Sequence, residues 1–169
     1  MKKYVSLLLF IILPFCVYSQ ESLSSDELFA KARNAVFEKK DYNTAINLAK
    51  QALEKSPNYT DISVFLGRLY TWTDKVDAAR QVFDELEQKN TQDEDFFVAY
   101  ASLEYWNNNY EKAINIIDKG LNYHPKSETL LLLKAKVYNS NNNFGEAEKT
   151  TSAILEINPK NTEARALSI

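Results

Sequence analysis

The chain has 169 residues, 45% of them hydrophobic, with only 3 Gly and 4 Pro. That is enough apolar material for a core, and it argues against a disordered or low-complexity segment. A formal charge of −3 with no basic stripe argues against nucleic acid as a partner. One Cys and one His give no ligand set for a structural metal.

Residues 1–19 read as a signal peptide. Lys2 and Lys3 form a positive start, and Tyr4 to Phe15 is an apolar run. Val17-Tyr18-Ser19 then places a tolerated residue and a small one ahead of Gln20. The run is too short and too poorly flanked for a spanning helix, although an uncleaved anchor is an alternative. A lipid tether on Cys16 is another, but Phe15 stands where such a signal needs a small side chain. Cleavage before Gln20 removes both lysines and the only cysteine, moving the formal charge from −3 to −5. A chain without thiols suits an oxidising compartment. Residues 20–25 are then a short polar lead-in.

The rest of the sequence repeats every 34 residues. Steps of that length from Ala79 reach Ala45, Ala113 and Ala147. The same step links Tyr42, Val76, Tyr110 and Phe144, and also Pro57, Thr91, Pro125 and Pro159. The expected fold is all-α, a right-handed α-solenoid of four helix-turn-helix repeats over 26–59, 60–93, 94–127 and 128–161. In repeat one, Ser24-x-x-Glu27 predicts a capping box, and Leu28, Phe29, Ala32, Val36 and Phe37 give one apolar stripe. Its second helix carries Ala45, Ile46, Ala49, Ala52 and Leu53 and ends before Pro57.

Repeat two holds Leu66-Gly67, Tyr70, Ala79 and Phe83, and Thr91-x-x-Glu94 predicts a capping box for the following helix. In repeats three and four, Asn107 to Asn109 and Asn141 to Asn143 fall in corresponding turns. Asn tolerates left-handed backbone there and can cap the next helix. Gly67, Ala101 and Ala135 on first helices let the paired backbones approach, while the Tyr42 series is expected to wedge between repeats. Repeat one has Arg33 at the Gly67 position, so either its packing is looser or the charge snorkels outward. Residues 162–169 open a short helix stub, too short to cap the last apolar face alone. More chain, a partner or a second copy is expected to complete that cover.

These positions, over 26–161, resemble the tetratricopeptide repeat (TPR) family. A narrower likeness lies in the strings GRLYTWTDKVDAA, ASLEYWNNNYEKAINIIDKGLNYHP and LLLLKAKVY. They look like the periplasmic N-terminal segment of YaiO-type outer-membrane β-barrel proteins, in which such repeats precede a barrel. A Gln directly after V-x-S is also similar to exported proteins of Bacteroidota-type bacteria. These likenesses imply a periplasmic chain, a role in exopolysaccharide export, and an outer-membrane barrel as partner or covalent continuation.

In such an array the first helices line the inner groove. The candidate groove residues are Asn34, Phe37, Arg68, Trp72, Tyr105, Trp106 and Lys136. Cations beside aromatics suit an extended peptide or a glycan, and a solvated face without a ligand is the other reading. Trp72 and Trp106, one period apart, suit a sugar platform or an interface hot spot, or else plug the seam between repeats. Some members of the family clamp a C-terminal carboxylate with Lys, Asn and Arg. Asn34 matches one such position, but the Lys position is Ala30, so that mode is rejected.

His124, before Pro125, reads as a surface or dipole-facing residue, and Asp93-Glu94-Asp95 as a favourable helix start. No Ser-His-Asp set, G-x-G-x-x-G or P-loop is present. The expected function is therefore a non-catalytic periplasmic scaffold for a protein or polymer, the arm of an outer-membrane export or assembly component. No cofactor and no metal are expected. Two alternatives stand beside it: an adaptor that forms a homodimer through its last repeat, and a glycan-binding module built on the groove aromatics.

Overall fold

A computed structural model describes residues 23–167, so the leader at 1–19 and Cys16 lie outside the described residues. The described chain is helical: α1 (Ser25–Phe37), α2 (Tyr42–Lys55), α3 (Thr60–Trp72), α4 (Val76–Gln88), α5 (Glu94–Trp106), α6 (Tyr110–Tyr123), α7 (Glu128–Ser140), α8 (Phe144–Ile157) and α9 (Thr162–Leu167). The first eight form four hairpins stacked side by side as an α-solenoid, and α9 closes against α7 and α8.

Local chemistry starts and stops these helices. Ser24 and Glu27 form the reciprocal capping box that the sequence predicts. Asp41 caps α2 and Ser127 caps α7, each accepting a backbone N–H of the first turn. The start of α5 differs from expectation. Its cap is Asp93, which accepts from the Asp95 N–H, and Thr91 lies outside the helix. The aspartate carboxylate is the stronger acceptor and stands directly at the helix start.

The turns inside the hairpins repeat in backbone as well as in sequence. Lys40, Asp74, Asn108 and Asn142 all take left-handed φ between 56° and 59°, one period apart. Each ends its helix with a wrapped hydrogen bond, such as Asn109 N–H to the Glu104 carbonyl and Asn143 N–H to the Tyr138 carbonyl. The expectation of left-handed Asn therefore holds, but Asn109 and Asn143 do not cap their helices through side chains. Lysine has no local hydrogen bond to offset the crowding of left-handed backbone. Lys40→Gly is expected to raise stability by about 1 kcal/mol, read from the urea midpoint.

The alanines of the periodic series, Ala45, Ala79, Ala113 and Ala147, are buried where each second helix meets its partner. Gly67 has the tightest packing of this kind: a Cβ built on it would lie 2.5 Å from Cζ of the fully buried Phe83. Arg33 snorkels, with its guanidinium 5.9 Å from the Phe29 ring centre, while neighbouring Ala32 fills the interior.

The wedge series is only partly as expected. Tyr42 meets the Trp72 edge of the next repeat, whereas the ring contact of Tyr110 is to Tyr105 of its own repeat, and Phe144 is 63% exposed. The six-residue α9 is the helix that follows α8 among the described residues, and it leaves this ring uncovered. Polar clasps in register join the start of one first helix to the start of the next, α5 to α7 and α7 to α9. Ser127 donates to Glu94, and one period later Asn161 donates to Glu128. His124 adds a tie through Nε2, which donates to the Gln92 carbonyl at 2.7 Å.

Candidate functional site

The groove begins where two first helices stand apart. α3 lies closely on α5, and α5 on α7, whereas rings bridge α1 to α3. Phe29 and Phe37 meet Phe65 at 5.4 and 6.4 Å between ring centres. Such bulky spacers leave a cleft of about 380 Å³ whose apolar walls include Phe29, Phe37, Phe65 and Trp72. Arg33, Arg68, Asp61, Asp93 and Asp95 supply its charged lining. A second hollow of about 120 Å³ shares Arg68 and Trp72 with the first and extends to Trp106. Together they make one groove across the first helices of repeats one to three.

Four of the seven candidate residues come together there: Phe37, Arg68, Trp72 and Trp106. The aromatic members are well hydrated, with Phe37 52%, Trp72 39% and Trp106 56% exposed. Trp72 also meets the Tyr42 ring edge-on across the seam between repeats one and two, the contact that the seam-plug reading expects. Arg68 is fixed by Asp95 at 2.6 Å. The other three candidates line neither hollow. Asn34 is exposed, Tyr105 bonds Ser140 and packs on Tyr110, and Lys136 pairs with Glu163 of α9 at 2.6 Å. The two groove cations are thus engaged in ion pairs and are not placed as free charges beside Phe37 and Tyr105.

A second polar constellation went unnoticed at the level of sequence. Glu104 is fully buried on α5, yet its carboxylate takes four partner contacts. Arg80 donates twice at 2.9 Å in a fork, Asn109 donates at 2.7 Å, and Lys112 pairs at 2.9 Å. Burial pushes the Glu104 carboxyl up, but hydrogen bonds from Arg80, Lys112 and Asn109 outweigh it and hold the group down at about 2. Next to it, burial and a hydrogen bond to Asp84 push the Tyr100 phenol up. The signal was available as a break in period, because Val36, Tyr70 and Tyr138 occupy the Glu104 position in the other repeats.

Comparison with known proteins agrees with this geometry. A tetratricopeptide repeat model matches residues 36–103 and 107–168. A tetratricopeptide repeat protein from Parabacteroides merdae superposes with a TM-score of 0.72 at 25% identity. That alignment covers 85% of this chain and 57% of the other, so this chain spans little more than half of that relative. A thermophilic protein of the same type from Thermus thermophilus gives 0.72 at 15% identity, with 86% and 79% covered. The structure of Naa15/Naa10 bound to HypK-THB gives 0.67 at 18% identity, with 85% and 22% covered. No curated protein matches. The chain belongs to the tetratricopeptide repeat family, whose members generally serve as non-catalytic scaffolds for protein partners.

Proposed function

We propose that the protein is a non-catalytic periplasmic scaffold that holds an extended segment of a partner protein in the groove between α1, α3 and α5. The observation that carries this reading is the groove wall itself: Phe37, Trp72 and Trp106 leave large apolar surfaces in water along one continuous channel. Hydrated aromatics lining a channel are what an interface hot spot requires. The leader motif at 1–19 supports export, and the likeness to repeat segments that precede outer-membrane barrels supports a place in an export or assembly complex. A second reading, a self-associating adaptor, draws on the exposed Phe144 and Ile157 of the last hairpin.

A photo-crosslinking residue placed at Thr71, in the native cell, separates these readings. The expected product joins this chain to another envelope protein, and Phe37→Ala with Trp106→Ala lowers its yield by about tenfold. The same crosslinking residue placed at Gly145, beside Phe144, tests the adaptor, which a product joining two copies of this chain would support. Recovery of the chain from the cytoplasm with no product at either position would sink both.

A further inference from the structure

The residues around Glu104 line a cleft of about 750 Å³ at the turn edge of repeat three, larger than either groove hollow. Its walls include Arg80, Asn108, Tyr110, Lys112, Asn115 and Asn141. We propose that this cleft binds a neutral, hydroxyl-rich saccharide. Three observations lead there.

The first is that the repeat does not need these residues for its fold. The Arg80 position holds Ile46, Ile114 and Glu148 in the other repeats, the Glu104 position Val36, Tyr70 and Tyr138, and the Lys112 position Thr44, Ala78 and Glu146, so none of them has residues for this ion cluster. A buried ion cluster gives no stability advantage over packed apolar residues of similar size, so another role accounts for it. The second is preorganisation. Glu104 immobilises Arg80, Lys112 and Asn109 at the cleft, while Arg80 and Lys112 keep side-chain exposures of 31% and 45% and donors to spare.

The third is chemical character. The charges of Arg80 and Lys112 are balanced by Glu104 and Glu111, so the lining is neutral overall. The asparagine amides of 108, 115 and 141 each offer donors and an acceptor, as sugar hydroxyls do in return. Tyr110, held by its hydroxyl to Asn108, gives a ring on which the apolar face of a pyranose can lie. The site is independent of the aromatic groove proposed for a protein partner.

Titration of the purified protein with maltotetraose, cellotetraose, xylotetraose and mannotetraose, followed by amide chemical shifts, tests the proposal. At least one probe is expected to shift Asn108 to Lys112, Asn115 and Asn141 at millimolar concentration. Asn115→Ala with Asn141→Ala should weaken it about tenfold or more. Both side chains are exposed, so thermal melting should be unchanged. Trp72→Ala with Trp106→Ala should leave the affinity intact. Absence of shifts with all four probes, or affinity lost through the tryptophans and kept without the asparagines, overturns the proposal.

Discussion

Glu104→Ala is expected to destabilise the protein by about 3–5 kcal/mol in chemical denaturation. Removing one member of a buried ion cluster strands its partners, here Arg80, Lys112 and the Asn109 amide. Partial access of Arg80 and Lys112 to water places the result toward the lower end. The rescue is as informative as the loss. Arg80→Ile and Lys112→Ala, with Glu104→Tyr, install the residues that other repeats carry in the same register, and should recover most of the stability. A triple variant that remains as weak as Glu104→Ala would show that this seam cannot accept the periodic solution.

The same group sets an acid limit. Its carboxyl is held at about 2 in the fold, against an ordinary value of 4.5. A folded value below the unfolded one gives stability that is complete above about 4.5 and lost as pH falls toward 2. The difference corresponds to about 3 kcal/mol. Glu104→Gln should flatten the stability profile between these pH values, whereas a buffer series with no such change would contradict the assignment.

The second large effect lies at Phe83. Phe83→Ala should cost about 3–5 kcal/mol, because the ring is fully buried between Phe96, Tyr100 and the Gly67 backbone. Gly67→Ala is the sharper test. In an ordinary helix that change gains about 1 kcal/mol. Here the added methyl would meet Cζ and Cε1 of Phe83 at 2.5 and 2.6 Å, and the stacked Tyr100 leaves the ring nowhere to go. A net loss of about 1–3 kcal/mol is expected. In a Phe83→Leu background the same glycine substitution should do much less harm, and additive losses would mean that the two residues are not in contact.

Much of this fold was legible because it repeats. The period set the helical class, the alanine seams and the left-handed turn at Asn108 and Asn142, since each rests on one local requirement met at the same position. What failed to show was whatever depended on a partner from a neighbouring repeat. Asn109 is a good helix cap by residue type, yet its Nδ2 donates to the Glu104 carboxylate, and with the amide so held its oxygen caps no backbone N–H. Phe144 belongs to the wedge series by register, but a wedge requires a second surface, and register alone does not supply one. The groove was half legible for a related reason. Positions facing inward could be counted along each helix, whereas the ring spacers that hold α1 away from α3 act across helices.

Among the described residues, the main helix contacts run within a hairpin or to the next one, with α3 meeting α5, α5 meeting α7 and α7 meeting α9. A load applied between its ends is therefore carried in series, each junction bearing all of it. The array responds as a spring of linked coils, unlike a closed sheet in which neighbouring strands share the tension.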